Sequence, residues 1–244
     1  MAQLNFRGVD LPSFVRVEKV ETSLFPKKRI NLISIPNRYG SVLSNVEFAE
    51  RVITIAISIM PNSNETILSK QRLLTEWLGF EVGDLILSEE PDKKYKAIVS
   101  NDVDINDLVF IGKGKIEFLC ADPCAYALTE SSFQTSSSSF SINNTGSFKT
   151  YPIIDVLMAS SKNYLKIEDI AKGKMLQVNY PFAQGNSLQI DCSKKIIKIN
   201  GVVNMKVLDL NSDWIALEKG LNNFVVTPSN QNDQISIKYF RRWI

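Results

Sequence analysis

The run Arg51 to Met60 constrains the fold more than any other stretch of the chain. Ile53, Ile55, Ile57 and Ile59 recur at every second position, with Thr54, Ala56 and Ser58 between them. A period of two places the isoleucines on one face of a strand, and their branching at Cβ favours the pleated state over a helix. A strand with one wholly apolar face must be covered, so this segment is expected at the centre of a sheet. Its apolar stretch, Val52 to Met60, is interrupted by Thr54 and Ser58 and is too short to span a bilayer.

Shorter segments of the same kind flank it. Phe14–Val20 carries an alternating Val15 and Val17. Arg29–Ile35 changes phase between Leu32 and Ile33, which predicts a β-bulge, and leads into the turn Pro36-Asn-Arg-Tyr-Gly40. Leu85–Leu87, Tyr95–Val99, Leu108–Ile111 and Lys115–Leu119 read as further strands. One helix is expected over about 65–78, capped by Ser63 or Asn64 and ended by Gly79, with Ile67, Leu74, Trp77 and Leu78 inward and Lys70, Gln71, Arg72 and Glu76 facing solvent.

Past Ala125 the composition changes. Residues 129–150 are rich in Ser, Thr and Asn and read as a linker that becomes strand where Phe140 and Ile142 alternate with polar residues. The second half is a series of short strands from Tyr151 to Trp243, including Trp214–Leu217, with Asn200-Gly201 as its strongest hairpin signal. The expected fold is mainly β with two domains: residues 1–130, a β-sandwich or barrel with one helix, and residues 131–244, a jelly-roll β-sandwich.

Composition narrows the chemistry. The 244 residues contain no histidine, which removes the commonest general base and zinc ligand. Cys120, Cys124 and Cys192 are too few for a disulfide framework or, without histidine, a tetrahedral zinc site. They read as buried structural residues, in a chain made in a reducing cytoplasm without a signal peptide. A net charge of +2 with scattered Lys and Arg offers no basic face for nucleic acid. The carboxylate clusters Glu89-Glu90 with Asp92, Asp102 with Asp104 and Asp107, and Glu168-Asp169 sit in expected turns, where solvation is the ordinary state. The second of them lacks the Gly and the bidentate Glu of a calcium loop. Gly112 and Gly114 read as a hairpin turn rather than a phosphate loop. Trp214, Tyr151 and Tyr164 could stack on a sugar, but sandwich cores use aromatics too.

The ordered set of segments resembles the distal tail protein family of siphophages that infect Gram-positive bacteria. The likeness runs through Val15–Val20, Pro36-Asn-Arg-Tyr-Gly40, Arg51–Ile57, Glu76-Trp-Leu78, Lys94–Val99 and Gly114–Pro123. It continues through Asn144-Thr-Gly146, Tyr151–Ile154, Ser187–Asp191, Trp214–Leu217, Gly220–Asn223 and Ile235–Arg242. Asn37 stands where that family commonly has Gly. The resemblance implies a non-enzymatic structural component of the virion tail tip or baseplate, assembled in the host cytoplasm, with no cofactor and no membrane association. It implies a homo-hexameric ring around a channel through which DNA passes, joining the tail tube protein to the tail-associated hub or lysin and supporting receptor-binding proteins. It also implies a galectin-like second domain. The expected interface or channel residues are Arg29, Arg38, Arg51, Thr54 and Ser58. Two rival readings use the same fold, a carbohydrate-binding adhesin and a glycosidase working without histidine.

Overall fold

The computed structural model describes residues 4–60, 66–100, 113–229 and 232–244, and divides into two compact units, residues 1–126 with 244, and residues 127–243. The expected strand at 108–111, the Asp102–Asp107 cluster, Gly112 and the helix caps Ser63 and Asn64 lie outside the described residues.

In the first unit the strands are β1 (Asn5–Phe6), β2 (Val9–Asp10), β3 (Val15–Thr22), β4 (Lys28–Ser34), β5 (Ser41–Phe48) and β6 (Arg51–Ile59). The helix α1 (Ile67–Leu78) follows, then β7 (Gly83–Ile86), β8 (Lys93–Val99), β9 (Lys113–Cys120) and, at the unit boundary, β10 (Ala125–Ala127). An antiparallel sheet runs β2-β1-β7-β8-β9-β6-β3. β6 is hydrogen-bonded on both sides, with Ile55 opposite Val20 and Ile116, and Ile53, Ile55 and Ile57 are fully buried.

α1 covers this sheet through Leu74, Trp77 and Leu78. The Trp77 ring meets Phe6 edge-on at 5.8 Å, Phe6 in turn meets Phe118 at 5.0 Å, and Trp77 Nε1 donates to the Val9 carbonyl at 3.0 Å. Thr66 supplies the N-cap, its hydroxyl accepting from the Ser69 N–H, and Gly79 ends the helix with φ +57°. Lys70 departs from the solvent-facing role read from the helical pattern. It is buried, with Nζ donating to the Met60 carbonyl at 3.2 Å and lying over the Phe14 ring.

β4 and β5 form a separate two-stranded ribbon. Its turn needs left-handed backbone at Asn37 (φ +62°) and Gly40 (φ +79°), conformations that Asn and Gly tolerate. The expected bulge is present, but the extra residue is Ser44 on β5, because Asn31 opposes Asn45 while Leu32 opposes Leu43.

The second unit contains β11 (Ser131–Thr135), β12 (Ser139–Asn144), β13 (Ile153–Leu157), β14 (Lys162–Asp169), β15 (Lys174–Phe182), β16 (Ser187–Asp191), β17 (Ile196–Ile199) and β18 (Val202–Val203). A 3₁₀ turn at Met205–Val207 precedes β19 (Gly220–Thr227), β20 (Gln234–Tyr239) and β21 (Arg242–Trp243). Two sheets, β11-β20-β13-β16-β17-β18 and β12-β19-β14-β15, share one core. Ile154, Val156, Leu188, Ile190, Ile235 and Ile237 come from the first sheet, and Phe140, Ile142, Leu165, Ile167, Val178 and Phe224 from the second. Tyr151 and Trp214 pack against this core. The serine-rich stretch becomes strand at Phe140 and Ile142 as read, in β12 paired with β19, and is already strand before that point, in β11 paired with β20. The Asn200-Gly201 hairpin forms as read, with φ +51° and +80° and Ile199 opposite Val202. Trp214–Leu217 is not a strand and makes only an isolated bridge from Leu217 to Thr150.

Candidate assembly surface

The β4–β5 ribbon is amphipathic. Alternation from the register places Lys28 and Phe48, Ile30 and Val46, and Leu32 and Leu43 on one face, and Arg29 with Glu47 and Asn31 with Asn45 on the other. The polar face is organised: Asn45 Nδ2 donates to Glu47 at 2.7 Å, and Arg29 Nη2 to Glu50 at 2.9 Å. The apolar face is bare, with Ile30 at 57%, Leu32 at 60% and Leu43 at 57% exposure. At the tip Ile33 and Tyr39 are exposed too. A lone two-stranded ribbon is marginal in water, and a contiguous exposed apolar face on a folded chain marks an interaction surface.

The residues singled out from sequence fall in three places. Arg29 sits on the ribbon's polar face, and Arg38 is in its exposed turn, where its N–H donates to the Ile35 carbonyl. Thr54 and Ser58 are half-buried on the outer face of β6, opposite Glu21 and Arg16 on β3, and Ser58 donates to Glu18 at 2.6 Å. Arg51 is a different case. It is only 6% exposed, its Nε donates to the Pro123 carbonyl at 2.9 Å, its Nη1 reaches Thr22 and Ser23, and the guanidinium lies over the Tyr95 ring. All of these partners belong to the same subunit, which makes Arg51 an internal strap between β3, β6 and the chain after β9. Arg51→Ala is expected to lower the unit's stability by about 2–4 kcal/mol in chemical denaturation, because charge-assisted bonds to buried carbonyls are lost. An assembly defect at unchanged stability would instead return Arg51 to the surface set.

The described carboxylates show no pair poised as acid and base. Glu90 accepts from Lys93 at 2.6 Å and from the Tyr95 hydroxyl, Glu168 is paired with Lys166, and Asp169 with Lys172. Glu21, Glu50 and Asp209 are held below the usual carboxylate range, by a Lys19 hydrogen bond, a backbone N–H and the Asn211 N–H respectively. A glycosidase general acid needs the opposite shift.

Cys120, Cys124 and Cys192 are free and buried, and burial pushes the Cys120 and Cys192 thiols up to about 12. No group of three or more potential metal ligands occurs among the described residues. A thiol-specific disulfide reagent at pH 8 is expected to label none of the three in the folded protein and all of them in denaturant, since the thiolate is the reactive species. Rapid labelling of a folded cysteine would contradict that burial. Among the described residues, no helix is long and apolar enough to cross a membrane.

Two family descriptions match the chain in series. The phage tail protein RIFT-related domain covers residues 6–120, and the C-terminal domain of the siphovirus-type tail component covers residues 145–243. The chain carries the two domains of a siphovirus-type phage tail component. The distal tail protein of Bacillus phage SPP1 is a relative at 24% identity over 90% of this chain and 88% of its own length. The crystal structure of SPP1 Dit, described as a hub of the adsorption apparatus in phages infecting Gram-positive bacteria, superposes with a TM-score of 0.80 over 100% of both chains at 19% identity. A chain of the phage P2 baseplate in its calcium-activated conformation aligns more distantly, at TM-score 0.47 and 11% identity over 98% of both chains. The mainly β architecture of this tail component is thus the fold of SPP1 Dit.

The ribbon's second strand has no counterpart in the sequence reading. Ser41–Phe48 is absent from the expected strands, although its Val42, Leu43, Val46 and Phe48 pair across the turn with Ile33, Leu32, Ile30 and Lys28.

Proposed function

We propose that the chain is a non-catalytic structural element of the tail tip, closing as a ring of six copies around the DNA channel. The ring joins the tail tube protein to the tail-associated hub or lysin and supports receptor-binding proteins at the distal end. It is built in the host cytoplasm and carried in the virion. The two matched domains and the SPP1 relative supply the setting. The observation that carries the ring is the β4–β5 ribbon with its uncovered apolar face.

A ring closes through one heterologous contact repeated about an axis, so every subunit must present two different complementary patches. The ribbon meets the needs of one of them. Among the described residues Ile30, Leu32 and Leu43 on its apolar face stay more than half exposed, and burying that face against the next copy would remove both the exposed area and the marginal stability of two strands alone. Arg29, Arg38, Thr54 and Ser58 stand as candidates for the polar margin of that contact or for the channel wall.

The test is light scattering with negative-stain imaging of the purified protein, alone and mixed with the tube protein. A particle of six subunit masses with an open centre is expected. A strict monomer at high concentration in both samples overturns the ring.

A further inference from the structure

The outward face of the six-stranded sheet in the second unit carries an aligned polar row. Gln134 on β11 lies opposite Ser236 on β20, Ser236 opposite Asp155 on β13, Asp155 opposite Gln189 on β16, and Gln189 opposite Lys198 on β17. Five hydrogen-bonding side chains thus cross five adjacent strands in one line. Strands are spaced by about 4.8 Å, so the row extends roughly 19 Å. It forms the floor of a groove of about 900 Å³.

We propose that this groove is a binding site for a short, neutral oligosaccharide laid across the strands. The chemistry of the row favours that ligand class. Asp155 is fixed in place, accepting from Gln189 Nε2 at 2.8 Å and from Lys238 Nζ at 3.1 Å, and each of its oxygens keeps a second lone pair. Gln134 and Lys198 make no side-chain hydrogen bond or ion pair among the described residues. Ser236 Oγ, in the row between Gln134 and Asp155, is sealed from solvent without a partner. The line offers both donors and acceptors, with the amides of Gln134 and Gln189 supplying each, Asp155 accepting and Lys198 donating, which suits hydroxyls that are each both donor and acceptor.

Two other ligand classes fit less well. Asp155 is paired with Lys238 and Lys198 adds a single further positive charge, so no concentrated positive field is present to draw a polyanion. An apolar peptide face would need apolar side chains on the floor, where only Leu157 is substantially exposed. The strand spacing is also close to the advance per residue of an extended saccharide, so successive sugars would meet successive strands. The site uses hydrogen bonds instead of aromatic stacking: Tyr151 and Trp214 pack against the core, and among the described residues no aromatic lines this groove.

The experiment applies the full-length protein to immobilised short gluco-, galacto- and N-acetylglucosamine-based oligosaccharides, with polyglycerol phosphate and an extended apolar peptide as comparison arms. Retention on at least one neutral glycan is expected, weakened at least about tenfold by Asp155→Ala and by Gln189→Ala. Gln189→Ala should leave the melting temperature unchanged, which separates loss of contact from loss of fold. The proposal is overturned by retention on none of the neutral glycans, by retention only on the phosphate polymer or the peptide, or by retention that both variants keep in full. Because the row belongs to a single subunit, a chain made monomeric at the ribbon should bind the same glycan, so this test stands apart from that of the ring.

Discussion

Leu32→Asp combined with Leu43→Asp is expected to convert the protein to a monomer, with at most a small fall in the subunit's melting temperature from the two carboxylates facing each other on the ribbon. Both side chains are more than half exposed in the subunit and directly opposite each other on the ribbon, so neither substitution removes core packing. In the proposed ring the pair is buried against the next copy. Each leucine then contributes about 1.5–3 kcal/mol, and an unpaired carboxylate put in its place adds a desolvation cost. A loss of only about 3 kcal/mol is roughly a hundredfold weakening of one contact, and a closed ring repeats that contact at every subunit. Sedimentation of the double variant should therefore show subunit mass at concentrations where the unaltered protein is fully assembled. Asn31→Asp, on the opposite face of the same strand, serves as the control and is expected to assemble. Ring formation by the double variant at normal affinity would remove the ribbon from the interface. A large fall in melting temperature would mean that the face is covered within the subunit.

The parts of the fold that were legible in sequence share a physical cause. Where apolar and polar residues alternate on β-branched backbone, as in Arg51–Ile59, burial and strand pairing go together and the reading holds. Trp214–Leu217 shows the limit of that inference. Ile215 and Leu217 are buried and their neighbours are not, yet the segment makes one bridge and no strand, because alternation reports burial and not pairing. Ser131–Thr135 fails in the other direction, reading as linker and forming β11. Its polar residues gave no strand signal, but Phe133 packs against the core and β20 supplies the ladder, so tertiary context prevails.

Charged residues were the least legible. Nothing local distinguishes Arg51, which straps three segments internally, from Arg29, which lies on the surface, since the partners of Arg51 are carbonyls 28 and 72 residues away. Lys70 is the same problem in a helix, its ammonium satisfied by the carbonyl of Met60. The polar row on the second unit was invisible for a related reason. Its five members come from five strands and meet only through register, which no spacing in the linear chain reveals.

Asp233→Ala is expected to be the most destabilising single substitution considered, at about 3–5 kcal/mol. Asp233 Oδ2 pairs with Lys162 Nζ, and its Oδ1 accepts the Ala159 N–H at 2.8 Å; both side chains are almost wholly removed from solvent. Truncation to alanine strands a buried ammonium and a buried backbone donor together, and neither has water to replace the carboxylate. The double variant Lys162→Met with Asp233→Asn should recover most of the loss. The amide oxygen can still accept from Ala159, the charge has gone from both sides, and methionine fills the volume of the lysine stem. Urea unfolding followed by tryptophan fluorescence reports this unit through Trp214 and Trp243. If Asp233→Ala falls within about 1 kcal/mol of the unaltered protein, the pair is solvated in solution. If the double variant is as unstable as the single one, the cost lies in packing at Lys162 and not in stranded charge.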